Sequence, residues 1–177
     1  MGSSIHTASQ EILQQGIELL ETITQADYTR QHAFAQNASI GAHYRHCLEH
    51  FEPLLELDSD VINYDARKRD LDLETDLSTA FERTWEYAET CDYFTLFPLN
   101  KPVKVITKVS YAGQEETEVM STLEREWMYC ISHTIHHYAI ISLICRQQNI
   151  SVPPDFGVAP STQKHLQKLE LDKAASL

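Results

Sequence analysis

The stretch TLEREWMYCISHTIHHYAIISLICRQQ, Thr122 to Gln148, constrains this chain most, because read as a helix it carries apolar residues on nearly every side. Such a helix is stable only when other elements cover it, so the rest of the chain is expected to pack around it. Ser121 or Thr122 can cap its start, and Glu124 and Glu126 fall in its first turn, where the helix dipole favours negative charge.

Three further segments have the three-and-four spacing of amphipathic helices. The first runs from Thr7 or Ser9 to Ile23, with Ile12, Leu13, Ile17, Leu19 and Leu20 as its stripe. A second is expected from a Ser39 cap to about Leu57, bent or shortened by Pro53, which removes a hydrogen bond to the Glu49 carbonyl. The third spans about Asp76 to Phe94, carries Leu77, Phe81, Trp85, Ala88 and Cys91, and is followed by Pro98. Between the first two lies a polar stretch, 24–38, anchored only by Tyr28 and Phe34. Between the second and third, 58–76 reads as an ordered, highly charged crossover. The segment KPVKVITKVSYAGQEETEVMST departs from helix: Val103, Val105, Val109 and Tyr111 favour a strand, Ala112-Gly113 a turn, and Glu115 to Met120 a returning strand. The expected fold is all-α, a four-helix bundle with a small β-hairpin before the last long helix. It should form one domain over 1–177, with its core in about 7–149 and a loosely packed tail, 150–177, in which His165 is an ordinary exposed residue.

The chain's net charge is −12, with 26 acidic residues against 14 basic, and that balance excludes the clustered cations a nucleic-acid surface needs. No apolar run is long enough to span a membrane, and the start MGSSIHTASQ has neither the basic nor the apolar region of a secretion signal, so a soluble, cytoplasmic protein is expected. The four cysteines, Cys47, Cys91, Cys130 and Cys145, stand singly without a CxxC pair and read as reduced, buried thiols. Cys130 lies three residues before His133 and borders whatever the histidines hold.

Six of the nine histidines fall in two stretches, GAHYRHCLEHF with His43, His46 and His50, and SHTIHHYAII with His133, His136 and His137. Residues three, four or seven apart share a helix face, so each group aims imidazoles at one place. His133 and His137, one turn apart, have the spacing that lets both bind one ion, while His136 points about 100° away from His137. A third imidazole from the second helix would complete a site with open positions for water or substrate. His46, mid-stripe, is favoured; the pattern alone equally permits His43 or His50. The rival reading is a histidine network that only sets register or loosens an interface on protonation. No HExxH signature is present.

SIGAHYRHCLEHF and SHTIHHYAII, with the crossover NYDARKRD and LEREWMYCISHTIHHYA after the hairpin, resemble the DinB/YfiT-like superfamily of four-helix-bundle metalloenzymes over roughly Ser39 to Arg146. The resemblance implies an up-down-down-up bundle holding a divalent ion, zinc, nickel or iron, on His46, His133 and His137. It also implies chemistry with a low-molecular-weight thiol. His137 is followed by Tyr138-Ala139-Ile140 where members often have Arg-Gly-Gln, so no role of that arginine carries over. Glu126 or Glu49 would be the carboxylate partner of a ligating imidazole.

The functional expectation is a metal-dependent thiol transferase or hydrolase acting on a small molecule. An ion on three neutral histidines lowers the proton affinity of water or a thiol, and no protein nucleophile is needed. Arg67, Lys68 and Arg69 either steer an anionic cosubstrate or form a solvated run balanced by neighbouring aspartates. The alternative expectation is a non-catalytic metal-binding or stress-associated protein that forms a homodimer through the first and third helices.

Overall fold

A computed structural model describes residues 4–56, 59–93, 98–113 and 115–174. Among them are seven α-helices and one three-stranded sheet. The long helices are α1 (Ser4–Thr22), α3 (Ile40–Leu55), α5 (Leu77–Tyr93) and α6 (Leu123–Gln147). Shorter helices are α2 (Gln25–Thr29) and α4 (Leu71–Thr75), and α7 (Pro160–Ala174) closes the chain. Helix α6 packs on α3 and α1, and α5 packs on α1 and α3. The expected helix limits at Leu57 and Phe94 lie outside the described residues.

Local chemistry accounts for the helix limits. Ser39 Oγ accepts from the Ala42 amide at 3.0 Å and Thr122 Oγ1 from the Arg125 amide at 3.3 Å, satisfying donors that a helix start leaves free. Ser9 is no cap: α1 begins earlier, and the buried Ser9 hydroxyl donates to the Ile5 carbonyl. The polar stretch after α1 is ordered by a capping box between Thr24 and Asp27, which starts α2 and sends Tyr28 into the core. The Tyr28 hydroxyl donates to the Leu73 carbonyl of α4 at 2.5 Å. Pro53 sits inside α3, near its C-terminal end.

The all-α expectation is corrected to a mostly helical fold with a three-stranded sheet. The hairpin forms from β2 (Pro102–Thr107) and β3 (Thr117–Thr122), antiparallel with Val105 opposite Val119. A third strand, β1 (Val61–Asn63), read from sequence as part of the crossover, pairs parallel to β2 with Ile62 opposite Val105. The β-branched pair Val61-Ile62 has an edge to join once the hairpin exists, and Ile62 is thereby fully buried. Strand β2 ends before Val109 and Tyr111, which are exposed. The sheet is tied to α6 through Glu126, whose carboxylate accepts from Tyr64 at 2.9 Å and from Ser121 at 2.6 Å.

The core centre is a polar stack. The Tyr44 ring of α3 lies nearly parallel to that of Tyr138 of α6, their centroids 6.1 Å apart. Thr84 gives its hydroxyl proton to the Ala80 carbonyl, so Tyr44 donates to Thr84 Oγ1 at 3.0 Å. Phe156, from the segment expected to be loose, is buried and stacks on Tyr138 at 4.3 Å. Gly157 beside it has φ +73° and lies so close to the α6 backbone at Ala139 that no side chain would fit. Helix α7 beyond it has no buried residue. No helix among the described residues is long and apolar enough to cross a membrane.

Gly16 of α1 faces the tyrosine pair, and a Cβ there would overlap the hydroxyl oxygens of both Tyr44 and Tyr138. Gly16→Ala is expected to destabilise the protein by about 1–3 kcal/mol, the cost of forcing a methyl group into a filled core. Gly113→Ala, whose Cβ meets nothing closer than 3.5 Å, should change little. Urea midpoints of the two variants check this, and equal midpoints would contradict the packing account.

Candidate metal centre

Helices α3 and α6 run antiparallel, because residue numbers fall along one as they rise along the other: Tyr44 stacks on Tyr138, His43 meets His137, His46 meets His133, and Phe51 meets Trp127. Two histidine stripes on antiparallel helices thus face each other. The three ligand-bearing residues whose donor atoms converge, all within 4.8 Å of one another, are His46, His50 and His133. His46 Nε2 and His133 Nε2 are 2.9 Å apart.

The structure brings the sequence-derived trio of His46, His133 and His137 into one cluster, with the His137 ring centroid 4.6 Å from both others. His137 Nδ1, however, faces His43 Nδ1 at 3.1 Å. His136 stands beside His137, their rings 5.3 Å apart, and also acts on His43 and His133, while His165 is exposed on α7. Neither expected carboxylate supports an imidazole. Glu126 is engaged by Tyr64 and Ser121, and Glu49 accepts from the Asp70 amide at 2.8 Å and pairs with Arg45 at 3.4 Å. His50 instead places Nδ1 2.7 Å from the His46 carbonyl. Cys130 underlies the group, its thiol donating to the His50 carbonyl at 3.2 Å. Burial pushes that thiol well above the usual range, so it stays protonated.

His46, His50 and His133 form the floor of a cleft of about 410 Å³, walled by Tyr64 and Tyr129 and overhung by Val105, Thr107 and Val119 of the sheet. Of the basic triplet, Arg67 alone lines this cleft; Lys68 pairs with Glu52 at 2.9 Å and Arg69 is exposed. Sequence reading gave Tyr64 and Tyr129 no role in the site and offered Arg67, with Lys68 and Arg69, either as steering an anionic cosubstrate or as part of a solvated run. His50 did carry a signal, since with His46 it repeats on α3 the four-residue spacing of His133 and His137.

Burial, followed by the neighbouring imidazoles and Arg67, pushes His46 down to about 2 from the ordinary 6.5. Burial likewise takes His137 to about 3 and His50 to about 4, and lowers His43 and His133. All are therefore neutral at pH 7, the form that donates a lone pair to a metal.

Does the donor set fit an ion? Two nitrogens at ordinary zinc–imidazole bond lengths lie about 2.9–3.4 Å apart for octahedral to tetrahedral angles, and the His46–His133 separation falls in that range. His50 Nδ1 must carry its proton to reach the His46 carbonyl, which leaves Nε2 bare for a ligand. One condition attaches to His46. Arg67 Nη1 lies 2.8 Å from its Nδ1 and can only donate, so that contact holds the His46 proton on Nε2. Ligation through Nε2 requires the arginine to withdraw. With that single movement the residues fit a divalent ion, and an all-imidazole set suits zinc, nickel, copper or iron.

No protein-family model matches the chain. It is similar to a protein named FK506-binding protein 5 of Rhizopus delemar, 36% identical over 108 residues, which are 61% of this chain. The match spans 28% of that relative's length. This finding overturns the expected membership in the DinB/YfiT-like superfamily and the DinB-like metalloenzyme label that came with it, because the similarity points to a differently named family. The physical reason is that paired histidine stripes need only helical periodicity and a shared core, so their spacing is not the property of one family. What stands is the cluster itself.

Acid should weaken the fold. Each cluster histidine is held below its ordinary value, so the unfolded chain binds more protons as pH falls through 6.5. This contribution is fully present above about pH 6.5 and is lost as pH drops toward the folded-state values. In the presence of chelator the urea midpoint should fall between pH 7.5 and pH 5, and His50→Gln, which cannot titrate, should fall less steeply. A midpoint that rises on acidification would contradict the neutral cluster.

Proposed function

We propose that the chain is a metal-dependent enzyme, built as a four-helix bundle of α1, α3, α5 and α6, that acts on a small molecule by hydrolysis or by transfer of a low-molecular-weight thiol. The observation that carries this reading is the convergence of His46, His50 and His133, all neutral, on the floor of a cleft large enough for a small substrate. His46 and His133 belong equally to the trio read from sequence. His50 closes the set in preference to His137, whose ring nitrogen is turned toward His43. A divalent ion held there would supply a Lewis acid that lowers the proton affinity of a bound water or thiol.

The chain's own residues supply the surroundings. Arg67 presents positive charge at the floor, Tyr64 and Tyr129 give the substrate apolar faces to lie against, and Glu126 fixes Tyr64 by taking its proton. The fold offers no thiol nucleophile in the cleft, since Cys130 points its sulfur at the His50 carbonyl and is held protonated. Activation of water or a thiol would therefore fall to an ion held on His46, His50 and His133, and the protein's part is to bind and orient the substrate.

Protein purified without a nickel column and reconstituted with zinc should bind about one equivalent. His133→Ala should lose it, His165→Ala should keep it, and His50→Ala should weaken binding more than His137→Ala does. Stoichiometry by atomic emission, with affinities from chelator competition, reads all four. Metal content below about a tenth of an equivalent after reconstitution would end the metalloenzyme reading.

A further inference from the structure

The acids and bases of this chain are unevenly matched: with 26 carboxylates for 14 cations, a half-buried arginine should readily find an acidic partner. Arg67 has none within ion-pair distance among the described residues. Its Nη1 lies against the neutral rings of His46 and His50, and its Nε is buried without a hydrogen-bond partner. Burying a guanidinium without a counter-charge is costly, and an N–H left unpaired adds to the cost. Glu49 and Asp65 favour its charge only from beyond ion-pair distance, and burial outweighs them. Glu126 has both oxygens engaged, and Asp65 accepts from the Lys108 amide through Oδ2. A second cation, Arg125, stands at the cleft rim over the Tyr129 ring, also without a carboxylate partner among the described residues.

We infer that the cleft receives a small carboxylate, gripped by the Arg67 guanidinium as it turns from His46, the same movement that frees His46 Nε2 for an ion, with Arg125 adding charge at the rim. This deepens the proposed function by naming its substrate class, and it takes from that reading only that the cleft is where the chemistry occurs. Once turned from the imidazoles, the guanidinium has paired N–H donors free, at the spacing that matches the two coplanar oxygens of a carboxylate. Tyr64 and Tyr129, their ring centroids 5.3 Å apart, form an aromatic wall suited to a flat carbon skeleton.

The test is calorimetric titration of the full chain, with and without added zinc, against benzoate, succinate, the neutral isostere benzamide, and inorganic phosphate. Benzoate or succinate should bind, benzamide should bind at least about ten-fold more weakly than benzoate, and Arg67→Gln should lower carboxylate affinity by at least about ten-fold, the loss of a charged two-point contact. Arg69→Gln, altered in an exposed neighbour, should bind as the parent does. Equal binding of benzoate and benzamide, no binding of either carboxylate, undiminished binding by Arg67→Gln, or a preference for phosphate each overturns the inference. Should Arg67→Gln lose its helical circular dichroism, Arg125→Gln and the benzoate–benzamide comparison on the parent protein decide instead. Carboxylate binding through Arg67 in a protein that takes up no zinc would remove the metal reading alone; zinc uptake without discrimination for carboxylates would remove this inference alone.

Discussion

The antiparallel packing of α3 on α6 is the constraint from which the rest of the molecule follows. Along their shared face the two helices match residue to residue, from Tyr44 on Tyr138 at one end, through the paired histidines, to Phe51 on Trp127 at the other. A register shift of one turn would move every imidazole pair together and leave the tyrosine stack unmatched. The apolar and aromatic contacts at both ends, of the kind that contribute most to core stability, therefore hold the polar middle in place. The polar groups there satisfy one another in part, through the His46–His133 and His43–His137 contacts, although His43 Nε2 and Arg67 Nε are buried without a partner. Where the tyrosine hydroxyls crowd the axis, α1 presents Gly16 and so comes close enough to cover them.

The electrostatics of the middle follow the same logic. Several imidazoles crowded in a half-buried space cannot share it as cations, so burial and mutual repulsion hold them neutral. Neutrality makes them good acceptors and good ligands, and it lets a guanidinium donate to His46. Among the described residues no carboxylate of this strongly acidic chain pairs with that guanidinium within ion-pair distance, so a positive charge stands in the cleft of an otherwise negative protein.

The helices were legible because each carries its apolar residues at helical spacing, and the caps at Ser39 and Thr122 stood at their expected places. The faces bearing histidine were legible for the same reason. Spacing gives the side of a helix, however, and not the rotation of a ring. His50 and His137 stand on equally eligible faces, and only tertiary contacts, the His46 carbonyl for one and His43 for the other, distinguish them. Strand β1 was hidden because Val61-Ile62 is too short and too enclosed by charge to announce itself, and its partner lies far along the chain. Phe156 was hidden by the prolines and glycine around it, although its ring completes the stack on Tyr138. The family resemblance rested mainly on that same helical pattern, with the crossover NYDARKRD and the hairpin beside it, and the similarity to a differently named protein overturns it.

The carboxylate of Glu126 joins Tyr64 after β1 and Ser121 in β3 to the first turn of α6. It thereby fastens the sheet over the cleft at one point while the histidines remain the property of the helices. Floor and lip are written in different parts of the chain, the floor in 43–50 and 133–137, the lip in 61–64 and 103–121. Substitutions at Thr107 and the exposed Val119 can alter the shape of the opening without touching the core that fixes the imidazoles, to which Val105 belongs. Such a division lets descendants of one scaffold diverge in what they admit while inheriting the same chemistry, with Glu126 as the joint that both halves must keep.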